Sequence, residues 1–197
     1  MTQHTSPGEL TWVLATGSPR RHSLFKQLGY SAEIEIPETV EKSASGETPG
    51  EMVRRLAEEK ALAVSKRRGE VAVFAFDTEV FLDGAALGKP ANLEKARQML
   101  RLLNNRSHSV WSGAALAHRG RIVQSLTRET VVFFRNYGEE EIDYQLLHGE
   151  PLDKAGGYAI QSAGARLVKE ITGCYYNVVG LPIFETIQLA ETARFLR

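Results

Sequence analysis

The sequence predicts an α/β protein with a mixed β-sheet flanked by helices. Three observations carry this expectation. The apolar stretch "WVLA" runs straight into a helix start, so strand and helix alternate from the outset. "VAVFAF" (71–76) is almost wholly apolar, the pattern of a strand buried on both faces. Asp83-Gly84 and the β-rich segment 107–135 read as hairpins, which add antiparallel strands to the same sheet.

Each element follows from local signals. After "WVLA" and a turn at Gly17, a helix from Pro19 to Leu28 has Ser18 as N-cap, Pro at its first position and Gly29 at its end. "AEIEI" (32–36) alternates as a strand does, and a polar loop follows. A second helix spans about Pro49 to Lys66, then comes the apolar strand 71–76 and the hairpin at Asp83-Gly84. "NLEKARQMLRLL" is a third helix with Leu93, Ala96, Leu100 and Leu103 on one face, ended by Asn104 and Asn105. His118 to Arg121 turns the next strand pair, and Glu139 to Leu147 is helical. "GEPLDKAGGYAIQ" reads as a loop leading to a strand, "ARLVKEITG" as another strand, and a last helix starts near Leu181.

Composition bounds the function classes. Lys plus Arg and Asp plus Glu both number 24 in 197 residues, a balance that argues against a stable nucleic-acid partner. Cys174 is the only cysteine, which excludes an internal disulfide and a Cys-rich zinc site and suits a reducing compartment. The N-terminal "MTQHTSPGELT" has no signal-peptide run, and no apolar stretch reaches membrane-spanning length, so a cytoplasmic protein with no membrane partner is expected.

Several residues point to chemistry. Arg20 and Arg21 stand in the first turn of a helix, where the helix dipole disfavours cations. Either both side chains bend into water, or an anion binds there, held by helix N–H groups, Ser18 and the two guanidinium groups. Lys60 sits inside the apolar arc set by Val53, Leu56, Ala57 and Val64. It either snorkels to solvent or delivers an ammonium into a cleft. Asp77-Thr78 follows the buried strand, a strand-end position suited to catalysis or to metal binding, and Lys89 returns after the hairpin. Asp153, Lys154, Gly156, Gly157 and Gln161 fall in one loop, where Gln161 offers both a donor and an acceptor to a nucleobase. There is no P-loop, no H-E-x-x-H pair and no nucleophile motif.

In order along the chain, "LATGSPRRHSLFKQLG", "RRLAEEKA", "FDTEVFLDGAALGKP", "ARQMLRLLNNRSHSVWSGAAL" and "GEPLDKAGGYAIQ…NVVGLPIFET" resemble the Maf family of nucleoside triphosphate pyrophosphatases, from about Trp12 to Thr186. The resemblance implies two lobes around a cleft, as in the inosine triphosphatase fold. It implies one such domain over residues 1–197, with its core at about Trp12 to Ala190. The implied reaction is hydrolysis of a nucleoside triphosphate to monophosphate and pyrophosphate with a divalent cation, magnesium or manganese. Family members are associated with arrest of septum formation and with clearing modified nucleotides.

Arg20, Asp77-Thr78 and Ile160-Gln161 resemble the subgroup that acts on dTTP and UTP, with Thr78 and Gln161 selecting the base. Departures are Val40 in place of the first member of an early acidic pair, Phe76 in place of a small residue, and Ser162 in place of glycine. The expected roles are as follows. Ser18, Arg20 and Arg21 hold the triphosphate. Lys60 and Lys89 neutralise charge developing on the phosphates. Asp77 accepts a proton from water or holds the metal, with Glu41 as second metal ligand. A homodimer is expected. The rival expectation is a nucleotide- or RNA-binding regulator of septum formation without catalysis.

Overall fold

The structure, a computed structural model, describes residues 12–39 and 46–196. Seven strands form one sheet: β1 (Trp12–Ala15), β2 (Ala32–Glu35), β3 (Ala72–Leu82), β4 (Ala85–Ala86), β5 (Ser107–His118), β6 (Arg121–Phe134) and β7 (Val168–Thr172). Their order is β2-β1-β3-β5-β6-β7, with β4 pairing β3. β1 is parallel to both β2 and β3, while β3-β5, β5-β6 and β6-β7 are antiparallel, so the sheet is mixed as expected.

Among the described residues six α-helices accompany it: α1 (Pro19–Gln27), α2 (Pro49–Arg68), α3 (Leu93–Leu103), α4 (Glu139–His148), α5 (Tyr175–Val179) and α6 (Ile183–Ala193). The starts of α1 and α2 differ. Thr48 and Glu51 form a capping box at α2, with Pro49 at its first position. Ser18 has extended N-cap backbone at α1, but its side chain caps nothing, and no acidic residue stands in the first turn.

Three apolar clusters hold the sheet. On one face Trp12, Phe25 and Phe74 pack with ring centroids 5.0 to 6.2 Å apart, joined by Phe76, Leu116 and Leu189. A second cluster joins Val80 and Leu82 to Leu100, Leu103, Phe134 and Tyr158. The third lies under α2, where Ala57, Ala61 and Val64 meet Val73, Ala75 and Ala115. Small residues on both sides let the helix lie close. A Cβ on Gly113 would fall 2.0 Å from the carbonyl oxygen of Val53, so only glycine fits there.

Several expectations need correction. β3 continues from the apolar run through Asp77 to Leu82, since β5 pairs with it from Val73 to Phe81; Asp77 therefore lies within a strand, not at its end. Leu93 opens α3 exposed, because that helix packs through its later turns. The "GEPLDKAGGYAIQ" loop leads into short 3-10 turns (Pro151–Asp153, Ala155–Gly157 and Ala163–Leu167), not a strand. Gly156 and Gly157 take φ of 69° and 75°, outside strand geometry. The C-terminal helix is preceded by α5, and Gly180 (φ 112°) separates the two.

Candidate active site

The site occupies an interruption in the strand ladder. β1 ends at Ala15 opposite Ala75, and β4 takes up β3 again only at Phe81 and Leu82. Between them, no strand among the described residues pairs with one edge of β3 from Phe76 to Glu79, and that edge faces a cleft of about 770 Å³. The start of α1, the end of the hairpin and the 153–161 loop form its rim. Ser18, Arg20, Arg21, Lys60, Asp77, Thr78, Lys89 and Gln161 all line this one cleft. Glu41 lies outside the described residues.

Lys60 does not snorkel. Its Nζ donates to Asp77 Oδ1 at 2.5 Å, and the two residues are 7% and 5% exposed. Gly113, the β5 residue opposite Asp77, is where the backbone of α2 touches the sheet. That contact sets the height of α2 over β3, and Lys60, two turns further on, reaches the carboxylate. Lys89 is not the partner of Asp77; it stands exposed on the rim.

The two arginines divide. Arg21 turns inward: Nε donates to Gly180 O at 2.8 Å, Nη1 to Phe76 O at 2.9 Å and Nη2 to Thr78 Oγ1 at 3.0 Å. Thr78 Oγ1 also shares a 2.8 Å hydrogen bond with Ser112 Oγ. Both side chains expected to contact substrate are therefore held by protein groups, and they join α1, β3, β5 and the turn before α6. Arg20, half-exposed, makes no ion pair among the described residues. Its charge is felt at Asp153, where burial would raise the carboxyl pKa. The hydrogen bond and charge of Lys154, with the charge of Arg20, outweigh that and hold it below its ordinary value.

The loop contributes more than sequence reasoning assigned to it. Lys154 is buried, with Nζ 2.5 Å from Asp153 Oδ1. The N–H of Gly156 donates to Gly88 O at 2.9 Å and so ties the loop to the segment carrying Lys89. Glu79, two residues beyond Asp77 on β3 and on the same face by strand alternation, also lines the cleft. Periodicity could have found it had the strand been extended past Phe76. Gln161 is exposed in the turn that follows Ile160.

Behind the cleft, Tyr158 Oη shares a 2.7 Å hydrogen bond with His108 Nε2. Burial depresses the His108 pKa to about 4, so the imidazole is neutral at neutral pH. No group of three or more His, Cys, Asp or Glu side chains clusters among the described residues. No helix among them is long and apolar enough to cross a membrane.

Comparison with known proteins agrees with this architecture. The family model described as "Maf-like protein" matches residues 11–193. A dTTP/UTP pyrophosphatase of Symbiobacterium thermophilum is 45% identical over 177 residues, covering 90% of this chain and 91% of that protein. One of Vibrio cholerae is 43% identical over 178 residues, covering 90% and 95%. Among solved structures, the Staphylococcus aureus Ham1 protein superposes with a TM-score of 0.52 at 16% identity, covering 92% of this chain and 99% of that one. A HAM1 protein from Coxiella burnetii gives 0.50 at 17% identity, covering 95% and 98%. These two share the fold.

Proposed function

The chain belongs to the Maf-like protein family, and on that footing we propose that it hydrolyses dTTP and UTP to the nucleoside monophosphate and pyrophosphate. The observation that carries this reading is the buried Lys60–Asp77 pair in a cleft where Arg20 and Lys89 converge from distant parts of the chain. Relatives more than 40% identical over nine-tenths of the chain carry that activity in their names. We read the chain as one such domain, acting in the cytoplasm as a homodimer.

In this mechanism the triphosphate lies against the uncapped start of α1, where helix N–H groups and Arg20 bind it. Lys89 adds positive charge from the rim, while the buried Lys154 lines the cleft already paired with Asp153. Arg21 has a positioning role, because its guanidinium fixes Phe76, Thr78 and Gly180 around the ligand. Asp77 takes the proton of the attacking water. The water oxygen bonds to the α-phosphorus, the bond from that phosphorus to the bridging oxygen breaks, and pyrophosphate leaves. Lys60 holds the carboxylate in position through each turnover.

A divalent cation fits this donor set. Asp77 and Glu79 are hard oxygen donors, and magnesium or manganese binds through one or two carboxylates plus substrate phosphates. When bound, the ion supplies charge neutralisation on the phosphate oxygens.

The test is a panel of nucleoside triphosphates assayed for pyrophosphate against orthophosphate. Pyrophosphate from dTTP and UTP is expected, and Asp77→Asn should lower kcat by about 100-fold to 10,000-fold. Orthophosphate as the first product, or wild-type turnover in that variant, rejects the proposal.

A further inference from the structure

Two lysine–aspartate pairs line the cleft, and they differ in kind. Lys60 and Asp77 are both buried. In the second pair only the cation is buried: the Lys154 side chain is 5% exposed and that of Asp153 is 67% exposed. Lys154 is held where it stands. Its backbone lies between two 3-10 turns, where its N–H donates to Pro151 O at 3.2 Å and its C=O accepts from the N–H of Gly157 at 3.0 Å. Gly157 is fixed in turn, because Gln145 Nε2 donates to its carbonyl at 3.0 Å. The Lys154 ammonium also donates to Glu150 O at 3.4 Å. The exposed carboxylate of Asp153 can leave Lys154 by rotating about its side-chain bonds, with the backbone unchanged. The charge of Arg20 acts on the same carboxylate, so cations from α1 and from the loop share one anion.

We propose that Asp153 is a place-holding anion of the phosphate site: in the empty cleft its carboxylate neutralises Lys154, and an entering polyphosphate displaces it and takes over the ammonium. This rests on the pyrophosphatase reading above and adds a control on the affinity of the same site. A buried ammonium without a counter-ion is costly, so a cleft that stands open between turnovers needs an anion of its own. The carboxylate brings one negative charge. A triphosphate brings several, with more acceptor oxygens, and it also meets Arg20, Lys89 and the start of α1. It therefore wins the exchange. When pyrophosphate departs, the carboxylate returns to Lys154, so the product is held less tightly than the cations alone would hold it. Asp153 acts here on the binding of phosphates and takes no proton from the attacking water.

The experiment measures binding of inorganic tripolyphosphate to the intact protein by calorimetry, with EDTA present so that no metal bridge contributes. Pyrophosphate release from UTP is scored separately. Asp153→Asn should bind tripolyphosphate about 5-fold more tightly or better, because the ion pair no longer has to be broken. A residue that only shapes the loop would leave the affinity unchanged or weaken it, and either result overturns the proposal. So does the absence of tripolyphosphate binding in both proteins. The same change is then made in Lys154→Met, which keeps the length of the buried side chain and removes its charge. There Asp153→Asn should alter the affinity by less than about 2-fold. An equal gain in both backgrounds shows a general field effect in place of an exchange at Lys154, and overturns the proposal. The expected pattern without pyrophosphate release from UTP supports the place-holder and rejects the pyrophosphatase reading. Pyrophosphate release without that pattern does the reverse.

Discussion

Replacing Lys60 by Met would leave Asp77 as a carboxylate 5% exposed with its ammonium partner gone. At 2.5 Å the pair attracts by about 7 kcal/mol in an effective dielectric of about 20. Bringing the two ions out of water costs several kcal/mol for each, so the intact pair adds little net stability. Breaking it is different, because the remaining charge keeps its desolvation cost and loses its compensation. Lys60→Met should therefore lower unfolding stability by about 3 to 5 kcal/mol, a large share of the 5–15 kcal/mol typical of a folded domain. The double variant Lys60→Met/Asp77→Leu should return to within about 1 kcal/mol of wild type while remaining inactive. Urea unfolding followed by the fluorescence of Trp12 and Trp111 measures all three proteins. If Lys60→Met lies within about 0.5 kcal/mol of wild type, as an exposed pair would, the buried pair is not present as described.

Gly113→Ala should destabilise the fold by about 3 kcal/mol or more and lower activity, since the new methyl meets Val53 O and lifts α2 from Asp77; thermal unfolding and turnover read both effects. Below pH 6.5 the unfolded chain protonates His108, while the folded chain does so only near pH 4. Stability should accordingly fall by about 3 kcal/mol as pH drops through that window, and urea unfolding of His108→Gln should show a shallower slope over the same range. Arg20→Met should raise KM for UTP about tenfold or more with a smaller effect on kcat, whereas an unchanged KM in steady-state assays removes Arg20 from the phosphate site.

Much of this site was legible because its charges violate local rules. Two arginines at a helix start and a lysine in an apolar arc conflict with their surroundings, and each conflict marks a residue that lines the cleft. Arg20 and Arg21 look alike in sequence, however, and only the fold separates the one facing the cleft from the one bonded to Phe76 and Gly180. The length of β3 was underestimated because charged residues interrupt its apolar run, and Glu79 was missed with it. Gly156 and Gly157 read as ordinary turn residues. Their positive φ values instead hold a loop against Gly88, a contact over 68 residues of chain that no local pattern encodes.

The continuity of β3 limits how this enzyme can close on a ligand. Phe74 and Phe76 belong to one apolar cluster and Val80 and Leu82 to another, on a single strand that β5 pairs along nearly its full length. The two clusters thus share one spine, so moving one against the other must bend or twist a strand that β5 braces. Asp77 and Thr78 sit on that braced stretch, which ties the proton acceptor and the neighbouring peptide to one support.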